Sequence, residues 1–234
     1  AASGDLARNL VGPLVAAWSG TEVVEGPNGS IFLSGTPKGK VLVKPCSVED
    51  GFSKLAAGEL AVFFADRAPS ESELNRFGSG FKASRSVAEV VALDALTLLV
   101  NPEVPLDTFR IGEPVSLRLA AGPTGSSIRR HADLFGISSP TALDVGGEQA
   151  ALSDPSLLSL GLYHQEGTNL RAKRLAVKSS AESLALKPSP FTIATEDYRF
   201  SYRIVAWTAS KPTQEALSLV KFVTSNEGQM IVAE

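Results

Sequence analysis

One apolar run constrains the fold of this chain more than any other stretch. Residues Val90–Asn101 read VVALDALTLLVN, with Asp94 as the single charged interruption. The run is too short to span a bilayer, which needs about 20 apolar residues, and Pro102 pushes Asn101 away from helical geometry. Its length and flanks favour a strand buried on both faces, as in a parallel sheet covered by helices. Periodicity alone leaves a buried helix open.

A second apolar stretch, Tyr202–Thr208, lies near the other end of the chain. Helix-like and strand-like segments precede the first run and follow it, so two crossing strands separate a middle segment from both chain ends. This arrangement is typical of a two-lobed α/β protein in which two strands form the hinge. The sequence therefore predicts one lobe from residues 1–92 with 200–234, and the other lobe from residues 93–199.

Composition narrows the classes of function. Of the 234 residues, 44% are hydrophobic and 20% are charged, which is ordinary for a soluble globular protein. The net charge of −3 argues against a nucleic-acid partner, because phosphate neutralisation needs a clustered excess of Lys and Arg. Cys46 is the one cysteine, which excludes an internal disulfide and predicts an unpaired thiol. His131 and His164 show no metal-ligand spacing.

These counts lead to three expected absences. We predict no metal and no cofactor, and we predict that the chain is not an enzyme, since no Ser/His/Asp or Cys/His arrangement is legible. No stretch reads as a signal peptide or a transmembrane segment. The abrupt start at Ala1-Ala2-Ser3 favours a processed or excised fragment.

Charged residues follow the first buried strand of the N-terminal part. Ser47–Gly58 reads as a capped helix that ends at a glycine, and Leu60–Ala65 reads as a buried strand. Asp66 and Arg67 come directly after that strand. Open α/β sheets bind ligands at the carboxyl ends of their strands, but strands also simply enter water there. Both interpretations of Asp66 and Arg67 stay open.

The middle segment contains a strand, a loop and a helix in the order that can cradle an oxyanion. Val115–Ala120 is the predicted strand, residues 122–127 form a Gly/Ser/Thr loop, and Ile128–Phe135 is the predicted helix. Arg129-Arg130-His131 is expected to be a solvated face of that helix. Further on, Ala142–Leu160 is predicted to be helical.

Four segments together resemble the phosphate-binding proteins of bacterial phosphate ABC transporters. The resemblance runs over nearly the whole chain, and its most specific parts are the two predicted crossings, in matching order and spacing. It implies a two-lobed, type II periplasmic-binding-protein-like α/β fold with a two-strand hinge. The segments are GFSKLAAGELAVFFADRAPSESE, VVALDALTLLVN, SPFTIATEDYRFSYRIVAW and FVTSNEGQMIV.

The resemblance also implies a ligand site made of three loops, each rich in hydroxyl and backbone N–H groups at a helix start, with an arginine. Carried over onto this sequence, the cleft-loop residues are Ser3, Gly4, Asp5, Glu49, Asp50, Asp66, Arg67, Thr124, Gly125 and Ser126.

The loops of this chain depart from the family pattern. The first loop has Asp5 where the family has a threonine, and the second has Glu49 and Asp50 where the family has hydroxyl residues. The third loop has Ala120 at the family's arginine position. A single like-charge pair at about 4 Å costs roughly 4 kcal/mol at an effective dielectric of about 20. Arg67 is the one expected counter-charge, so the sequence predicts a degraded oxyanion site.

Two hypotheses follow from the resemblance. The first is a periplasmic or otherwise extracytoplasmic solute-binding protein that takes a small molecule, phosphate or another oxyanion by family, in the cleft between its lobes. Its partners would be the membrane components of an ABC transporter or another protein. The second is a degenerate binding-protein-like domain that serves as a protein-interaction or sensory module without binding phosphate.

Overall fold

The computed structural model describes residues 1–3, 6–22, 24–26, 30–36, 39–76, 88–121, 127–137, 141–142, 147–166, 169–209 and 211–233. The chain divides into two compact units. Unit 1 is Ala1–Ala92 with Arg203–Glu234, and unit 2 is Leu93–Tyr202. The boundaries between the units fall within two strands.

The strands are numbered in chain order. They are β1 Ala2–Ser3, β2 Val24–Glu25, β3 Ile31–Thr36, β4 Gly39–Val43, β5 Pro45–Cys46, β6 Val62–Ala65, β7 Ala88–Val100, β8 Thr108–Arg110, β9 Arg118–Ala121, β10 Thr141–Ala142, β11 Leu157–Leu162, β12 Lys173–Arg174, β13 Ala176–Lys178 and β14 Ser201–Thr208.

The helices are numbered in the same way. They are α1 Gly12–Ser19, α2 Val48–Ala56, α3 Glu71–Arg76, α4 Ser127–Leu134, α5 Gly147–Ser153, α6 Pro190–Ala194, α7 Gln214–Val223 and α8 Asn226–Ala233. A π-helical turn, Ala7–Val11, leads directly into α1, and a 3-10 turn, Tyr163–Gln165, follows β11. None of the described helices is long and apolar enough to cross a membrane.

Unit 1 is built on a sheet in which β14, β6, β1 and β5 lie side by side. Strands β1, β5 and β6 are parallel, while β14 runs antiparallel to β6. A second, antiparallel sheet contains β2, β3 and β4. Helix α1 packs against α7 and α8, and α2 packs against β6.

The contact between α2 and β6 depends on a glycine. The Phe52 ring meets the Phe63 ring edge-on, with centroids 5.2 Å apart, and it meets Trp207 in the same way at 5.6 Å. A Cβ built on Gly51 would lie 2.1 Å from Cζ of Phe63. The helix can therefore lie directly on the strand only because residue 51 has no side chain.

Unit 2 has its own sheet and its own core. Strands β10, β9, β11 and β7 lie side by side, and β12 pairs with the carboxyl end of β7, at Leu99 and Val100. Strands β9, β10 and β11 are parallel, and β7 is antiparallel to β11. The core packs β7 and β11 side chains against α4, α6 and the segment before β14, with Leu98, Leu160, Ile193 and Phe200 among its members.

The apolar run is a strand, as predicted. β7 is buried continuously from Asp94 to Val100. Strands β11 and β12 both pair with it in antiparallel orientation, so the expectation of a parallel sheet around it was wrong. An antiparallel strand also loses both faces to the core when helices and connections cover the sheet on each side.

Two further expectations need correction. Ala142–Leu160 was predicted to be helical, but the helix α5 ends at Ser153 and β11 begins at Leu157. Pro155 and Ser156 form the turn between them, and all six residues of β11 are buried, as in a strand with two covered faces. His131 was expected on a solvated face, yet it is 1% exposed.

Candidate functional site

The described sequence-predicted residues of unit 1 follow strands that end at one edge of its sheet. Strand β1 ends at Ser3, β5 leads through Ser47 into α2, and β6 is followed by Asp66 and Arg67. Because β5 and β6 both run parallel to β1, their carboxyl ends meet at the same edge. This is the edge at which open α/β sheets bind their ligands.

Five of the predicted site residues lie outside the described residues. They are Gly4, Asp5, Thr124, Gly125 and Ser126. For Ser3, the structure describes the backbone as the end of β1. The geometry of the site in unit 1 is therefore carried by Glu49, Asp50, Asp66 and Arg67.

Arg67 is held by carboxylates of the chain itself. Its Nη1 donates to Glu73 Oε2 at 2.7 Å and to the carbonyl oxygen of Ala68 at 3.0 Å. Its Nη2 donates to Glu73 Oε1 at 2.8 Å and to Glu49 Oε1 at 2.9 Å. The guanidinium also lies 5.9 Å from the centroid of the Phe52 ring. Both terminal nitrogens of the expected anion-binding arginine are thus occupied.

The pKa values reflect how firmly this pair is bound. The hydrogen bonds from Arg67 lower the pKa of Glu73 to about 2, and the backbone N–H of Ser70 adds to the effect at 2.6 Å. The hydrogen bond to Glu73, followed by that to Glu49, raises the pKa of Arg67. At neutral pH the two negative charges of Glu73 and Glu49 exceed the one positive charge of Arg67.

Glu49 and Asp50 lie in the first turn of α2, where the helix dipole favours negative charge. Ser47 caps this helix, because its Oγ accepts from the backbone N–H of Asp50 at 3.1 Å. Both acidic side chains are exposed. The first turn that would meet an oxyanion therefore carries two negative charges and has one N–H already used.

Asp66 differs from the exposed Glu49 and Asp50, because it is only 3% exposed at the end of β6. The structure brings Glu49 and Arg67 into direct contact. It adds Glu73, which sequence reasoning missed. A glutamate six residues after an arginine has no regular spacing, and only the turn before α3 brings the two together.

Unit 2 has a polar cluster at the corresponding edge of its own sheet. Strand β11 runs parallel to β9, and its carboxyl end leads into the 3-10 turn; the antiparallel β7 enters the sheet at the same edge. Asp94 Oδ2 accepts from Nδ1 of His164 at 2.6 Å and from the Tyr202 hydroxyl. Asp94 Oδ1 accepts from the backbone N–H of His164 at 3.2 Å.

Asp94 is only 4% exposed. Burial on its own would raise the pKa of Asp94, but the hydrogen bond and the charge of His164, with the hydrogen bond from Tyr202, hold it below its usual value. His131 stacks on the Tyr202 ring with centroids 3.7 Å apart. The single charged interruption of the apolar run is therefore the centre of a buried hydrogen-bond network.

A second carboxylate lies in the same cluster. Glu166 accepts from the Thr97 hydroxyl and, at 2.6 Å, from Nε of Arg174. Burial raises the pKa of Glu166 to about 7, although Arg174 opposes the shift and Asp94 adds to it. The Arg174 guanidinium lies 4.8 Å from the centroid of the Tyr163 ring.

Neither unit offers a metal centre in the part of the chain that the structure describes. There, no group of three or more His, Cys, Asp or Glu side chains is placed to hold a metal ion. Ala120, at the expected arginine position, is fully buried in β9 with Ala150 and Leu157. Cys46 is a free thiol, half-buried, with Sγ 3.8 Å from the Ala2 carbonyl oxygen.

Comparisons with known proteins bear on the class of fold. No family model and no curated protein matches the sequence. Among solved structures, an ABC-type phosphate transport receptor from Vibrio cholerae matches with a TM-score of 0.72 at 13% identity, over 99% of this chain and 96% of that chain. A putative phosphate ABC transporter substrate-binding protein from Clostridium perfringens, with bound phosphate, matches with a TM-score of 0.63 at 14% identity, over 99% of this chain and 95% of that chain. The BenM effector-binding domain with its effector benzoate matches with a TM-score of 0.57 at 10% identity, over 100% of this chain and 92% of that chain.

These similarities define the class of protein by its fold. The chain has the α/β type II periplasmic-binding-protein-like fold, as the sequence resemblance implied. Within that fold it is similar to binding proteins for phosphate and to an effector-binding domain. At these identities the likeness concerns the fold, and the ligand has to be argued from the residues.

Proposed function

We propose that this chain is an extracytoplasmic solute-binding protein that works with the membrane components of an ABC transporter, and that inorganic phosphate is not its ligand. Binding, without catalysis, is the proposed activity. The two lobes are proposed to be residues 1–92 with 200–234, and residues 93–199. The fold that the chain shares with phosphate-binding proteins supports the first part of the proposal.

One observation carries the second part. Arg67 is the residue expected to neutralise a bound oxyanion, and both of its terminal nitrogens donate to Glu73 and Glu49. The two oxygens of Glu73 occupy the guanidinium fork in the way that an oxyanion would. A carboxylate of the chain itself thus occupies the arginine that the predicted site would use to bind an anionic ligand.

Phosphate would have to displace this pairing and then face the acidic side chains. Each like-charge contact at about 4 Å costs roughly 4 kcal/mol at a dielectric of about 20. Micromolar affinity corresponds to only about −8 kcal/mol in total. Two such contacts, with Glu49 and Asp50, would therefore remove measurable binding.

A binding isotherm with inorganic phosphate at neutral pH and moderate salt tests the ligand assignment. We expect no saturation in the micromolar range. A dissociation constant for phosphate in the micromolar range or below would overturn this assignment, because Arg67 or another cation would then have to reach the anion.

A second experiment tests the physical cause. Replacing Glu49 by Ser together with Asp50 by Thr should restore some phosphate binding, and adding Glu73→Gln should increase it by freeing the Arg67 fork. Glu71→Gln is the matched control, since Glu71 is an exposed acid in the first turn of α3. If the triple variant binds no phosphate, the acidic side chains are not what excludes it.

Solute binding itself is tested by thermal shift with a panel of carboxylates, oxyanions, amines and sugars. At least one solute should raise the melting temperature in a concentration-dependent way, because a ligand that binds only the folded state stabilises it. If no solute does so, the chain is better explained as an interaction module that has kept the fold.

A further inference from the structure

Arg67 and Arg174 differ in which of their guanidinium nitrogens donate hydrogen bonds to other side chains of the protein. Arg67 has both Nη groups bound to carboxylates. Among the described residues, Arg174 is bonded through Nε alone, which donates to Glu166. Building on the proposed solute-binding function, we propose that Arg174 is the anion-binding residue of unit 2, and that it binds a carboxylate group of the ligand through Nη1 and Nη2.

The guanidinium of Arg174 is fixed before any ligand arrives. Glu166 holds its Nε at 2.6 Å, and Glu166 is itself held by the Thr97 hydroxyl. The Tyr163 ring lies under the guanidinium at 4.8 Å, a distance that suits a cation–π contact. A side chain ordered by two partners loses less conformational entropy when it binds a ligand.

Within the part of the chain that the structure describes, the terminal nitrogens of Arg174 are available to a ligand. None of the described residues accepts a hydrogen bond from its Nη1 or Nη2, and the side chain is 25% exposed. The pKa of Glu166 is raised to about 7, so near neutral pH its carboxyl carries only part of a negative charge. The positive charge of Arg174 is therefore incompletely cancelled, in contrast to that of Arg67.

The position in the sheet supports a ligand role. Tyr163 and Glu166 follow the carboxyl end of β11, which runs parallel to β9. The loop after β9 is where the family resemblance placed an oxyanion cradle, and Ala120 supplies no cation there. Arg174 reaches this edge from β12, so unit 2 has a cation at the edge where α/β sheets bind ligands.

The geometry favours a carboxylate over other anions. A planar guanidinium whose two terminal nitrogens point the same way pairs with the two oxygens of a carboxylate through two parallel hydrogen bonds. Inorganic phosphate can accept the same pair, but its second negative charge needs a further cation. The one arginine among the predicted site residues, Arg67, lies in unit 1 and is already paired with Glu49 and Glu73.

The test uses isothermal titration of the full chain with succinate, benzoate, acetate and inorganic phosphate. We expect succinate or benzoate to bind, and Arg174→Gln to weaken that binding about tenfold to hundredfold, the usual size for hydrogen bonds to a charged group. Arg171→Gln is the matched control, because Arg171 is 80% exposed and its Nε lies 4.0 Å from Glu148. It should change the affinity less than twofold.

A second measurement avoids substitution of Arg174 altogether. Phenylglyoxal labels accessible arginines, and mass spectrometry locates the label. Succinate or benzoate at saturation should protect Arg174 and leave the labelling of Arg171 unchanged. Tyr163→Leu should weaken carboxylate binding about threefold to fivefold, since it removes the aromatic face under the guanidinium while leaving both charges.

The outcomes separate this inference from the proposed function. If a solute binds and neither Arg174→Gln nor the labelling pattern responds, the inference is wrong and the solute-binding function stands. If none of the three carboxylates binds while another solute does, the inference is equally overturned. If no solute of any class binds, the proposed function fails first.

Discussion

At the scale of single residues, the local partners of a charge decide whether it is available to a ligand. Arg67 and Glu73 make two hydrogen bonds with each other, both shorter than 3 Å, and Glu49 adds a third. Such paired geometry is the strongest form of ion pair in proteins. The pair therefore stabilises unit 1 at the cost of the cation that a phosphate site would need.

We expect Glu73→Gln to lower the free energy of unfolding by about 2–3 kcal/mol at pH 7, the scale that a carboxyl pKa of about 2 implies. Because the folded-state pKa lies below the ordinary value of 4.5, this stability is complete above pH 4.5 and is lost as the pH falls towards 2. Urea unfolding at pH 7 and pH 3 should show the difference from wild type shrinking. Glu49→Gln, at a site 58% exposed, should cost under about 1 kcal/mol. An equal loss at both pH values would contradict the prediction.

At the scale of secondary-structure elements, Asp94 ties three parts of unit 2 together. It lies in β7, accepts from His164 in the turn after β11, and accepts from Tyr202 in β14. A buried carboxylate with three hydrogen-bond donors stabilises this junction only while the carboxylate and all three donors are present. If one group is removed, its buried partner loses a hydrogen bond and its desolvation is no longer compensated.

Asp94→Asn should therefore cost about 3–5 kcal/mol of unfolding free energy. Asp107→Asn is the control, because Asp107 pairs with Lys173 at 3.1 Å but is 82% exposed, and it should cost under about 1 kcal/mol. Urea unfolding at pH 7 measures both losses, and equal losses for Asp94→Asn and Asp107→Asn would contradict the prediction.

Glu166 should produce the opposite pH dependence. Its pKa of about 7 in the folded chain lies above the ordinary 4.5, so its stabilising effect is complete below pH 4.5 and is lost as the pH rises through 7. Arg174, Asp94, Glu148 and the Tyr198 hydroxyl are the ionisable groups that act on it. As the pH rises from 4.5 to 8, the free energy of unfolding of the Glu166→Gln variant should increase by about 2–3 kcal/mol relative to that of the wild type. Urea unfolding across this range measures the gain, and a constant difference would contradict it.

At the scale of the whole molecule, the two units have separate cores and different continuity in sequence. Unit 1 needs two distant segments of the chain, whereas unit 2 is the single segment Leu93–Tyr202. The core of unit 2 joins β7, β11, α4 and α6, and its described members all lie within this segment.

An isolated polypeptide of residues 93–202 should therefore fold on its own. We expect cooperative urea unfolding and dispersed NMR signals. Leu98→Ala within this polypeptide should lower its stability by about 2–5 kcal/mol, because Leu98 is fully buried. A polypeptide without a cooperative transition would show that the core of unit 2 is insufficient alone.

The sequence determined those features that depend on residues close together in the chain. The length and flanks of Val90–Asn101 predicted β7, and the serine before α2 predicted its cap, which Ser47 provides. The order of elements, together with the resemblance, predicted the α/β fold. The helical prediction for Ala142–Leu160 was wrong in its second half, because a turn after Ser153 separates the helix α5 from the strand β11.

Only the tertiary structure decided which charges meet. Asp94 was visible as an interruption of an apolar run, but its partners His164 and Tyr202 lie 70 and 108 residues away. Glu73 joins Arg67 through a turn, and Glu166 joins Arg174 through the pairing of β12 with β7. These contacts depend on strand register and connection geometry, which no local pattern encodes. Because charge pairing is set by such long-range neighbours, the fold could be predicted from the sequence, whereas the partners of Arg67 and Arg174 could not.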